Sequence, residues 1–103
     1  TDIITSLKEL LNANMPFYQN QAENMSPTQI NLLKAVAAGE SQLTSSRVMN
    51  EFRLGTPRNV SKNKMTLINN DVIGESGRTY FFLDPAFEIW FRKAFLNEEF
   101  PDL

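Results

Sequence analysis

Cysteine and histidine are both missing from this 103-residue chain. Without cysteine there is no disulfide framework and no thiol chemistry. Without histidine, zinc sites and imidazole acid–base catalysis are excluded. No apolar run approaches the roughly 20 residues needed to span a bilayer, and no signal peptide is visible. The expected compartment is therefore the cytoplasm, and the two Asn-x-Ser matches at Asn24 and Asn59 read as chance. The chain opens on Thr1 rather than Met, so it is expected to be a piece of something longer. A large charge of one sign is also lacking, because the formal net charge is only −2.

What is present is an ordinary globular composition, with 42% hydrophobic residues. That content and length fit one domain with a modest core of its own. The distribution of charge is more informative than its sum. From Thr44 to Leu83, six basic residues (Arg47, Arg53, Arg58, Lys62, Lys64 and Arg78) stand against three acidic ones, a net of +3, while the two flanks together carry −5. A basic middle between acidic ends permits contact with a polyanion.

Punctuation places the elements. Ile3, Ile4, Leu7, Leu10 and Leu11 recur at helical spacing over residues 2–14, followed by a looser stretch around Pro16 and Asn20. Ser26-Pro27-Thr28-Gln29 combines an N-cap, a first-position proline and a third-position Gln, which predicts a capping box. The helix it opens is expected to bury Ile30, Leu33, Val36 and Ala37 and to stop at Gly39. Thr44 is expected to cap a shorter helix carrying Val48, Met49 and Phe52, which ends near Leu54-Gly55. After residue 70 the period changes from 3.6 to 2. Val72-Ile73 starts a strand, Glu75-Ser76-Gly77 supplies a turn and Tyr80-Phe81-Phe82-Leu83 returns. Asp84-Pro85 then opens a last helix with Phe87, Trp90, Phe91, Ala94 and Phe95 on one face. That aromatic stripe could stack bases, but its spacing reads as core.

Between the short helix and the strands lies the segment with the most chemistry. Thr56 is a good N-cap and Pro57 suits the first helical position. At about 100° per residue, Val60, Leu67 and Ile68 form an apolar back, while Arg58, Asn59, Lys62, Thr66 and Asn69 form a polar, basic front. Long donors and amides on one helix face are the groups that reach phosphates and base edges in a major groove. Lys64 falls on the apolar side, where its stem snorkels along the core edge. Arg47 and Arg78, on the short helix and at the hairpin tip, are candidates for phosphates. The acidic run Glu98-Glu99…Asp102 reads as a solvated tail rather than a metal site.

The order of helix, short helix, helix and hairpin is the layout of a winged helix-turn-helix. The fold class is accordingly mainly α (α+β), with a two-stranded β-hairpin wing and flanking N- and C-terminal helices. Residues 1–24 read as a linker or lid-derived helix, 25–97 as the winged-helix domain and 98–103 as an acidic tail.

Within that layout, residues 25–37, Met25-Ser26-Pro27-Thr28-Gln29-Ile30-Asn31-Leu32-Leu33-Lys34-Ala35-Val36-Ala37, carry a specific likeness. So does the run Tyr80-Phe81-Phe82-Leu83-Asp84-Pro85-Ala86-Phe87-Glu88-Ile89-Trp90-Phe91-Arg92. Together they resemble the winged-helix segment that ends archaeal-type P-loop ATPases of the AAA+/STAND group, over about residues 25–95. The resemblance implies a parent that binds ATP and Mg in a P-loop domain. This chain has no Gly-x-x-x-x-Gly-Lys-Ser/Thr of its own, and Gly74-Glu75-Ser76-Gly77-Arg78-Thr79 has the wrong glycine spacing and Arg in place of Lys.

The expected function is a C-terminal winged-helix domain that contacts double-stranded DNA through Arg58, Asn59, Lys62 and Thr66, with Arg47 and Arg78 on phosphates. The alternative is a regulatory module docking on the ATPase domain of the same protein or on another protein, with no direct DNA contact. No catalytic residue, metal, cofactor, small-molecule substrate or membrane partner is expected for this chain.

Overall fold

The computed structural model describes residues 2–96. Five helices and one hairpin follow in order: α1 (Asp2–Glu23), α2 (Pro27–Ala37), α3 (Ser46–Phe52), α4 (Pro57–Asn69), β1 (Ile73–Ser76), β2 (Thr79–Phe82) and α5 (Pro85–Leu96). They divide into two compact units, one of residues 25–83 and one formed by the described residues of 1–24 and 84–103. The acidic tail at 98–103 lies outside the described residues.

In the unit of residues 25–83, local signals set the helix starts. The Ser26 hydroxyl accepts from the Gln29 N–H, and the Ser26 N–H donates to Gln29 Oε1, which completes the expected capping box. The start of α3 differs from expectation by one residue. Ser45 rather than Thr44 is the N-cap, its hydroxyl accepting from the Val48 N–H at 3.3 Å. The end of α3 differs too. Arg53, not glycine, takes the left-handed C-cap with φ 56°. Its carbonyl accepts from Asn31 Nδ2 of α2 at 3.3 Å, a tertiary bond that helps hold this conformation.

α2 packs on α3, on α4 and on β2, and α4 packs on β1. Leu32, Leu33, Val36, Val48, Leu54, Val60, Leu67, Ile73 and Phe82 form the core of this unit, all nearly inaccessible to solvent. The strands are antiparallel, with Ile73 opposite Phe82 and Ser76 opposite Thr79. The turn falls at Gly77-Arg78, one step beyond the expected Glu75-Ser76-Gly77, and Gly77 supplies the positive φ of 62° that it requires. The segment Gly74–Thr79 is thus strand, turn and strand. It offers no helix N-terminus and does not fit nucleotide phosphates.

In the other unit α1 packs on α5. The looser stretch expected around Pro16 and Asn20 is helical instead, and α1 runs unbroken through it to Glu23. Proline removes one intrahelical hydrogen bond, but here the turns beyond it are fixed by tertiary contact. Tyr18 and Ala22 are buried, and the Tyr18 ring meets Phe87 edge-on at 5.6 Å between centroids. The side chains of Ile3, Ile4, Leu7, Leu10 and Leu11 lie outside the described residues. Asp84 opens α5, its Oδ1 accepting from the Ala86 N–H and its Oδ2 from the Tyr18 hydroxyl. Phe87, Trp90 and Phe91 are buried, so the aromatic stripe is core as its spacing indicates; Ala94, expected on that face, is exposed.

Candidate nucleic-acid interface

α4 is set by its first turn. The Thr56 hydroxyl accepts from the Asn59 N–H at 3.2 Å, and Pro57 occupies the first position. Val60 and Leu67 are its buried residues, at 2% and 1% exposure, and they define the pole turned to the core. At about 100° per residue the opposite pole is shared by Arg58, Lys62, Met65 and Asn69, all within about 30° of it. All four are exposed. Asn59 is exposed as well, at the margin, where its amide lies close over Gly55. Thr66 stands apart from this group. It is half-buried and its hydroxyl donates to the Lys62 carbonyl at 3.0 Å, so its proton is already used within the helix.

The cations divide into paired and unpaired. Arg47 reaches Glu40 at 2.8 Å and Glu51 at 2.7 Å, and both carboxylates, Glu40 the more strongly, favour its charged form. Lys64 donates to the Tyr80 hydroxyl at 3.4 Å and lies 3.8 Å from Glu75, which stands opposite Tyr80 in the hairpin register. It therefore ties α4 to the wing, with its stem along the core edge. Burial first, and Glu75 next, raise the Tyr80 phenol above its ordinary pKa, while Lys64 opposes them.

Residues 25–83 hold seven basic and four acidic residues, a net of +3. Three of those four carboxylates are occupied by Arg47 and Lys64. Arg53, Arg58, Lys62 and Arg78 remain exposed, without an ion pair among the described residues. Three of these four lie in residues 52–70, which contain no acidic residue at all. Arg78 sits at the hairpin turn. Nothing in the sequence distinguishes Arg53 from any solvated helix residue. Its left-handed cap, which sets it in the turn leading to α4, is a tertiary outcome.

A crevice of about 340 Å³ is lined by the 41–45 segment, by Val60, Ser61 and Lys64 of α4 and by Tyr80 of the wing. Three of its polar side chains are engaged, since Ser45 caps α3 and Lys64 bonds Tyr80. Among the described residues no three His, Cys, Asp or Glu side chains group to hold a metal, and no helix is long and apolar enough to cross a membrane.

Three helices followed by a two-stranded wing, with the third helix presenting an exposed basic pole, define a winged helix-turn-helix. Comparison with protein families agrees. Residues 16–93 match the family described as "Probable winged helix domain", and the chain belongs to that family. Comparison with curated proteins and with solved structures gives no match.

Proposed function

We propose that this chain is a DNA-contacting winged helix that lays α4 toward the major groove and the wing along the backbone. The observation that carries this reading is the pairing of its charges: three of the four carboxylates of residues 25–83 are taken up by Arg47 and Lys64, leaving Arg53, Arg58, Lys62 and Arg78 open. Arg58, Asn59 and Lys62 face the major groove, the two cations reaching the phosphates that flank it, with Thr66 at the margin offering lone pairs rather than its proton. Arg53 and Arg78 face phosphates, and Arg47 joins them only on release from Glu40 and Glu51. The parent we infer is a P-loop ATPase of the AAA+/STAND group, whose own P-loop domain binds ATP and Mg; the likeness of residues 25–37 and 80–92 supports this.

One observation favours docking on a protein instead. Phe81 and Leu83 are each 45% exposed and crowd together over Gly74 on the outer face of the wing. Salt-titrated binding to random duplex DNA separates the two readings. Binding that weakens steeply with salt, and that falls in Arg58→Ala/Lys62→Ala but not in Phe81→Ser, supports DNA contact. An absence of binding even at low salt overturns it in favour of docking.

A further inference from the structure

The pole of α4 opposite its buried seam holds one residue of a different chemistry. Met65 is 49% exposed, the most exposed large apolar side chain of residues 25–83. It lies three positions after Lys62, seven after Arg58 and four before Asn69, so it shares one strip of the helix surface with all three. A methionine set among two long cations and an amide gives the strip a polarizable, flexible apolar contact at its centre. In a major groove the apolar feature offered by a base edge is the C5-methyl group of thymine.

We propose that Met65 is a specificity-determining residue of the DNA interface and selects a thymine through its methyl group, flanked by contacts from Lys62 and Asn69. The inference rests on the DNA reading of α4. It commits the preferred site to a thymine under the middle of the helix and gives no donor role to Thr66, whose hydroxyl is turned back to the Lys62 carbonyl. The position is open to substitution without harm to the fold, because Met65 makes no part of the buried core.

The test selects duplexes from a randomised pool with the whole chain, then replaces each thymine of the selected site in turn by uracil, which differs only in lacking the methyl. One replacement is expected to weaken binding about fourfold, the share of one buried methyl. Met65→Ala is expected to bind the thymine duplex more weakly and to be indifferent to that same replacement, while Met65→Leu keeps the discrimination. Unchanged thermal melting of both variants confirms that the fold is intact. A selected site without thymine overturns the proposal, as does wild-type indifference to uracil at every position. So does full discrimination retained by Met65→Ala. Each of those results leaves DNA binding itself standing, whereas no duplex selected at low salt overturns the DNA reading and this inference together.

Discussion

Raising the salt concentration is expected to release this chain from duplex DNA with a log–log slope of about −3.6. The figure comes from counting which cations are free to neutralise phosphate. Each phosphate contact on duplex DNA contributes about −0.9 through release of condensed counterions. Among the described residues of 25–83, four exposed cations have no carboxylate partner: Arg53, Arg58, Lys62 and Arg78. Arg47 and Lys64 are excluded because Glu40, Glu51 and Glu75 already neutralise them. Between 50 and 200 mM salt the four contacts correspond to a loss of about 150-fold in affinity. Counting all six would steepen the slope to about −5.4. Fluorescence anisotropy on a labelled random duplex measures the slope directly. Arg58→Ala/Lys62→Ala is expected to bring it to about −1.8, and Glu40→Gln/Glu51→Gln, by freeing Arg47, to about −4.5. A wild-type slope near −5.4, or a double Gln variant indistinguishable from wild type, would refute the claim that internal pairing withholds Arg47 and Lys64. A slope near zero would remove the electrostatic basis for DNA contact altogether.

Thr56→Ala removes the hydroxyl that accepts from the Asn59 N–H and is expected to cost about 1 kcal/mol in denaturant unfolding, with Thr56→Ser nearly neutral. Phe91→Ala empties a site at 0% exposure beside Phe87 and Phe95 and is expected to cost about 3–5 kcal/mol, visible as a large fall in Tm. Burial first, and Asp84 second, raise the Tyr18 phenol above its ordinary pKa of about 10, so the folded chain holds that proton more tightly than the unfolded chain does. Stability is therefore expected to be intact below pH 10 and to fall as pH rises through the folded pKa, and Tyr18→Phe should flatten part of that decline in a pH series of urea melts.

The features that could be read in advance depend on bonds closed within a few residues. The Ser26–Gln29 capping box and the Thr56 cap connect groups three apart in the chain, so their residue types alone specify them. The stripe of Phe87, Trp90 and Phe91 is likewise legible, because a period of 3.6 shows which face must be covered even before its cover is known. The winged-helix layout is legible in the same way from the order of elements, and the family match over residues 16–93 agrees with it.

What the sequence left open was decided by groups far apart in the chain. α1 passes through Pro16 because Tyr18 and Ala22 pack on α5, some 65 residues on, and that burial outweighs one missing hydrogen bond. The basic front of α4 was assigned as an arc from Arg58 to Asn59. Its true centre depends on where α2 and β1 cover the helix, and that cover leaves Met65 in the open and Thr66 half-buried. Arg47 and Arg53 are the same side chain on the same short helix by sequence. Only the fold brings Glu40 back onto Arg47 and turns Arg53 through a left-handed cap into the approach to α4. Charge count is a property of the sequence, whereas which charges remain unpaired is a property of distances, and distances are set by the tertiary structure.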